Sequence, residues 1–172
     1  MNALQSHQGF LLDSNMKTLD LTNQNIGSEG ANLLAESLAS NHSLTSLFIG
    51  GSQIGDGVKA ISVSLKFNTT ISSLGLSSIK MSISESICEL LKFNKTLKTL
   101  ELGGNQIEMN GVEPICDALK SNNSLTNLNL QVTNIGDGGA RFLGEALKFN
   151  SSLNTLDIGW NSIGLEGSQF IS

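Results

Sequence analysis

Apolar residues recur along the chain in one phrase. Each copy has a short LxxLxL segment, a small polar turn, an isoleucine commonly followed by glycine, and a longer stretch ending in asparagine. The copies start at Met16, Leu44, Ile71, Leu97, Leu125 and Leu153, so the period is 26 to 28 residues, the mark of tandem structural units. In the short segment Leu47 and Ile49 alternate with Ser46 and Phe48, and this period of two predicts a strand with one buried face. In the longer stretch Ala31, Leu34, Ala35 and Leu38 of the first unit, or Ala140, Leu143 and Leu147 of the fifth, fall at helical spacing and form one apolar stripe. A strand and a helix per unit predict a parallel sheet covered on one side, with leucines stacked from unit to unit.

The connections carry their own signals. Glycines at the helix starts (GSEG, GDG, GDGG) permit backbone angles closed to other residues. The third unit lacks them, and Ser82 with Glu85 offers a capping box there. Asn41, Asn68, Asn94, Asn122 and Asn150 close the helices of the complete units, a place where asparagine is expected to take the left-handed conformation. Pro114 is expected near the start of the fourth helix, where its missing N–H costs least. In the KFN triplets, Phe67, Phe93 and Phe149 are expected to pack under the turn, with Lys66, Lys92 and Lys148 at the negative end of the helix dipole. The closing asparagines also create five glycosylation-type sequons, which are read as by-products of the repeat.

The full phrase, LxxLxLxxNxIGxxGAxxLxxALxxN, resembles the ribonuclease-inhibitor type of leucine-rich repeat over residues 16–172. The resemblance implies an α/β fold, a right-handed solenoid bent into a horseshoe arc with parallel strands on the concave face and helices on the convex face. It also implies that the chain acts by binding another protein on the concave face. The asparagine usual at the ninth position is present only as Asn105 and Asn161. Gln24, Ser52, Ile79 and Thr133 replace it elsewhere, so an incomplete asparagine ladder and local irregularity are expected around the short third unit. Residues 1–15 fall outside the pattern, and Phe10, Leu11 and Leu12 are expected to end a cap on the first repeat. Five units are complete, and the sixth stops mid-helix at Phe170, Ile171 and Ser172. Truncation of the chain is the expected cause, and cover by something outside it is the other. The Asn-, Ser- and Lys-rich flavour is also similar to leucine-rich-repeat effectors of intracellular bacteria such as Legionella.

Composition narrows the function. A net charge of −5, a pI near 4.9 and scattered Lys and Arg residues argue against nucleic-acid binding, which needs clustered cations. No apolar run is long enough for a membrane span, and the first fifteen residues lack the blocks of a signal peptide. A cytoplasmic protein is therefore expected. Cys88 and Cys116 hold equivalent helix positions, matched by Ala35, Ser62 and Gly144. Helix axes about 8–10 Å apart do not bring α carbons within the roughly 7 Å a disulfide needs, so two free thiols are expected. His7 and His42 stand apart from any nucleophile, no Cys/His cluster or phosphate loop is present, and GDGG at Gly136 is a repeat turn. Neither catalysis, a cofactor nor a metal is expected.

Function must then come from residues that the repeat does not need. The third strand positions are Thr18, Ser46, Ser73, Thr99, Asn127 and Thr155. The fifth are Asp20, Phe48, Gly75, Glu101, Asn129 and Asp157, and the eighth positions, just beyond, are Asn23, Gly51, Ser78, Gly104, Val132 and Trp160. Asp20, Phe48, Glu101, Asn129, Asp157 and Trp160 are the candidate protein-binding residues. Phe48 and Trp160 are read either as interface anchors or as structural and tolerated surface residues. Neighbouring strands lie about 4.8 Å apart, which separates the carboxylates too far for an acid–base pair and leaves an acidic patch suited to a basic partner. The expected function is a module that binds one globular protein, an enzyme, an effector or a host protein, as its inhibitor or regulator, and is a monomer when free. A fragment of a larger repeat receptor is the alternative.

Overall fold

The computed structural model describes residues 12–80 and 85–171. Each unit folds as a strand and a helix: β1 (Thr18–Asp20), α1 (Gly27–Ser40), β2 (Ser46–Phe48), α2 (Gly57–Leu65), β3 (Ser73–Gly75), α3 (Glu85–Phe93), β4 (Thr99–Glu101), α4 (Glu108–Ser121), β5 (Asn127–Asn129), α5 (Gly136–Leu147), β6 (Thr155–Asp157) and α6 (Leu165–Ser168). The strands make one parallel sheet in chain order, the arrangement of a leucine-rich-repeat solenoid with strands inside the arc and helices outside.

Register follows from the repeat. The central leucines Leu19, Leu47, Leu74, Leu100, Leu128 and Leu156 stand opposite one another along the whole sheet, since a slip of one residue would turn a strand's buried face to solvent. In the inner units these leucines, together with Ile49, Leu76, Leu102 and Leu130, are buried under the helix stripes. In the first and last units Leu19, Leu21, Leu156 and Ile158 are half-buried. Leu12 packs against the first repeat, and the rest of the proposed cap helix, Phe10 and Leu11, lies outside the described residues, as does Ser82 of the capping box.

The helix-closing asparagines depart from expectation. Asn41 and Asn122 are extended, with φ of −84° and −78°, and none of the five has a left-handed backbone. Their side chains do the work. The Oδ1 of Asn122 accepts the N–H groups of Ser124 and Leu125 (3.0 and 2.8 Å), which orients the next strand, while its Nδ2 donates to Leu91 C=O in the preceding unit (2.6 Å). Asn94 donates back to Leu65 and Asn68 C=O, and Asn150 to Leu119 and Asn122 C=O. Such bonds satisfy backbone groups that would otherwise be buried unpaired. They also occupy the amides that the sequon pattern would offer.

Two further expectations are corrected. Pro114 lies in the middle of α4, not near its start, because that helix already begins at Glu108. Phe67 and Phe149 are 77% and 71% exposed and Phe93 is 48% exposed, because the inner volume beneath the turn is already filled by the leucines. The Phe67 and Phe93 rings instead meet each other at 6.5 Å, and Lys66 Nζ lies 4.1 Å from the centre of the Phe93 ring while pairing with Glu89 at 2.7 Å.

The ninth-position ladder is mixed. Asn105 Nδ2 donates across to Leu76 C=O and Asn161 Nδ2 to Leu130 C=O, and Ser52 Oγ donates to Leu21 C=O. Thr133 Oγ1 lies within hydrogen-bond distance of Leu130 C=O in its own unit (2.6 Å) and of Asn161 Oδ1 in the next (3.0 Å). Ile79 is buried in the third unit and has no such group to offer, although its own N–H is taken by Asn105 Oδ1 (3.1 Å). β3 nevertheless keeps the common register, and residues 81–84 of this unit lie outside the described ones.

Cys88 and Cys116 are buried, free thiols. Burial pushes both upward in pKa, Cys116 to about 12, so they are packing residues with little thiolate character.

Candidate functional site

The strand register sets the geometry of the candidate face. Thr18, Ser46, Ser73, Thr99, Asn127 and Thr155 form one row across the sheet, and Asp20, Phe48, Gly75, Glu101, Asn129 and Asp157 form a second. The two rows flank the buried leucines and leave the opposite face of the sheet open. Asp20 and Glu101 are kept apart by β2 and β3, and Glu101 and Asp157 by β5.

Half of the fifth-position row has a structural duty. Asp20, Asn129 and Asp157 each accept the N–H of the residue two places on, Thr22 at 2.9 Å, Gln131 at 2.8 Å and Gly159 at 3.0 Å. This is the side-chain turn that Asp and Asn favour, and it ends the strand. Bonding to Thr22, through its side chain and its N–H, lowers the Asp20 carboxyl below its ordinary pKa. Glu101 and Phe48 have no such duty.

Gly75 separates Phe48 from Glu101. A Cβ placed on Gly75 would stand 2.6 Å from Phe48 Cδ1 and 3.5 Å from Glu101 Oε2. The half-buried Phe48 ring therefore lies over the glycine, and a side chain there would displace it. This accounts for the ring without a partner and leaves its outer surface available to one.

The eighth positions form the rim of the face, and all six have a left-handed backbone. Their φ values are 60° at Asn23, 66° at Gly51, 55° at Ser78, 70° at Gly104, 56° at Val132 and 59° at Trp160. The cause lies in the stacking of turns: each N–H from Asn23 to Val132 donates to a carbonyl of the next unit's turn, as Val132 does to Gly159 (3.0 Å). Glycine adopts this conformation at low cost and asparagine visits it more readily than most residues, whereas a β-branched residue such as valine is a genuine outlier. Val132 and Trp160 nonetheless hold it, with side chains 54% and 85% exposed. Val132 thus joins the candidate residues, and the signal in the sequence was a bulky residue where the first four units place Asn, Gly or Ser.

The convex side carries a different feature. Between α2 and α3 lies a cavity of about 280 Å³ lined by Lys59, Val63, Lys66, Glu85 and Glu89 among others, with Phe67 and Phe93 nearby on the surface. Among the described residues, no group of three or more His, Cys, Asp or Glu side chains could hold a metal ion, and no helix is long and apolar enough to cross a membrane.

Comparison with known proteins agrees with this geometry. The fold is similar to the tropomodulin C-terminal domain of Caenorhabditis elegans, with a TM-score of 0.68 and 15% identity over 80% of this chain and 88% of that one. It is also similar to Leiomodin-1 Actin-Binding Site 2, with a TM-score of 0.51 and 22% identity over 92% of this chain and 78% of that one. No curated protein sequence matches the chain. The Leucine Rich repeat pattern matches residues 13–35, 93–116, 121–144 and 149–172, more than half of the sequence. The chain belongs to the leucine-rich repeat family.

Proposed function

We propose that the chain is a protein-binding module whose concave strand face and adjoining rim hold one globular protein, and that it inhibits or regulates that partner by covering its working surface. The observation that carries this reading is the pair of rows in register across six strands. They present Phe48, Glu101 and the third-position side chains on a rigid surface that the core does not use. Preorganised faces bind without the entropic loss of ordering loops. The acids Asp20, Glu101 and Asp157, with no Lys or Arg at any third, fifth or eighth position, favour a partner with a basic surface. No catalytic step belongs to this function. The compartment that goes with it is a cytoplasm, that of a host cell if the effector resemblance carries over.

The test is affinity capture from lysate with the intact chain beside a Phe48→Ala, Glu101→Ala variant whose folding has been checked by circular dichroism. A partner held by the first and lost by the second supports the concave face. The same proteins on both would place the working surface elsewhere. Actin belongs in the same experiment as a purified probe, because the Leiomodin-1 neighbour is named for binding it.

A further inference from the structure

The side chains of the fifth strand positions go two ways. Asp20, Asn129 and Asp157 turn along their own strands to accept an N–H two residues on. Phe48 and Glu101 instead meet across Gly75, which stands between them on β3. β2 and β4 lie two strand spacings apart, roughly 10 Å, and a side chain at position 75 would fill the gap. Without one, Phe48 Cδ1 and Glu101 Oε2 come within 2.6 and 3.5 Å of a single point, the place a Gly75 Cβ would take. Ring and carboxylate thus share one gap in the middle of the sheet. With β1 on one side and β5 and β6 on the other, neither edge of the sheet exposes it.

The fold makes no use of either group. Phe48 belongs neither to the core nor to the apolar residues packed against it. Among the described residues, the Glu101 carboxylate makes no hydrogen bond or ion pair. The cation–ring contacts among those residues belong to Lys66 and Arg141, on the helix side. The third-position neighbours Ser46, Ser73 and Thr99 are small, so the ring and the carboxylate stand clear of the sheet beside them.

A half-buried carboxylate next to a half-buried ring attracts a cation twice. The ring face does so through its quadrupole, and the carboxylate through its charge, which acts more strongly where the surroundings hold less water. A guanidinium satisfies both at once, because it is planar, stacks on aromatic faces and forks onto a carboxylate. An ammonium is a point charge without that plane. We propose that Phe48 and Glu101, brought together over Gly75, form a subsite for one arginine side chain of the protein partner. The guanidinium stacks on the open face of the Phe48 ring and donates to Glu101, and its aliphatic stem lies along the small residues of the sheet. The proposal rests on the concave-face reading and names the chemistry that the centre of that face selects.

The probes are blocked tripeptides with arginine, lysine or citrulline between two alanines. Each is titrated into the isotope-labelled chain while the amide resonances of Phe48, Gly75 and Glu101 are followed. Citrulline keeps the shape of arginine and removes its charge. The arginine peptide should shift these resonances together and bind about three- to tenfold more tightly than the citrulline peptide, with the difference shrinking at high salt. Lysine should fall between them. Glu101→Gln should remove most of the preference without moving the unfolding midpoint, since the carboxylate bonds to nothing in the fold. Phe48→Leu, which still covers Gly75, should weaken arginine binding, whereas a ring with only a packing role would leave it unchanged. Arginine bound no more tightly than the other two, a preference that survives Glu101→Gln, or shifts centred on Asp20 or Asp157 instead overturns the subsite. If the captured partner is lost by the Phe48→Ala, Glu101→Ala variant while no arginine preference exists, the concave-face reading stands and this subsite falls. An arginine preference here, with capture untouched by that variant, sustains the subsite and removes the wider reading.

Discussion

Two rows of residues run the length of the solenoid, and they solve the same problem in opposite ways. At the helix ends the side chain is constant: asparagine closes every complete unit, and in each it ties the start of the next unit's strand, with four of them also donating back to the unit before. At the rim the backbone is constant, left-handed in all six units, while the side chain changes from Asn, Gly and Ser to Val and Trp. A row with a constant side chain has its chemistry consumed by the fold. A row with a constant backbone and varied side chains has its shape consumed by the fold and its chemistry left over for a partner.

The comparison breaks most severely at the first row. Asn122→Ala strands the buried Leu125 N–H and Leu91 C=O and should cost roughly 3 kcal/mol, at about 1–3 kcal/mol per unpaired buried group. Urea denaturation checks it, and a loss below about 1 kcal/mol would mean that the ladder is not what joins the units. On the strand face, Gly75→Ala should cost about 1–2 kcal/mol by forcing Phe48 aside. In a Phe48→Ala background the same change should be nearly free, a non-additivity that a double-mutant cycle reads directly. At the rim the sign should reverse. Val132→Gly should stabilise the chain by about 1 kcal/mol, because glycine adopts φ of 56° without strain, and thermal unfolding would show it as a raised Tm. Stabilisation at the cost of binding is the signature of a functional residue. The smallest effect belongs to Asp157→Asn, which keeps the acceptor for Gly159. Its stability should stay within about 0.5 kcal/mol of the parent, while the affinity for a basic partner falls.

Much of this was legible in the sequence because the repeat reports it six times. Strand centres, helix stripes and the small helix position shared by Cys88 and Cys116 follow from spacing alone, and the rows of the strand face follow from the strand phase. The left-handed positions did not. Asparagine serves equally as a left-handed residue and as a side-chain cap, and the pattern at Asn41 or Asn122 does not say which. The rim conformation was concealed because Val132 and Trp160 are residues that local preference would exclude from it. Phe67, Phe93 and Phe149 misled for another reason: spacing reveals which way an apolar residue leans, but not whether volume remains to receive it. Pro114 was misplaced because the polar turn of the fourth unit, with Glu108 at φ 59°, begins its helix earlier than the glycines suggest. The candidate site was visible as positions. That Asp20, Asn129 and Asp157 also end their strands depends on distances that the sequence does not contain.

The gap left by Ile79 has a mechanical meaning. Ninth-position side chains bridge the first unit to the second, the third to the fourth and the fifth to the sixth. Of the two junctions without such a bridge, the one between the fourth and fifth units has Glu108 N–H bonded to Thr133 C=O at 2.9 Å. The one between the second and third has instead the cavity between α2 and α3. Because each unit of a solenoid touches only its neighbours, cohesion is decided junction by junction. Among the described residues this junction is therefore the least bridged on its turn side, and its cohesion falls to the helix side, where Asn94 bonds to Leu65 and Asn68 C=O and Lys66 pairs with Glu89.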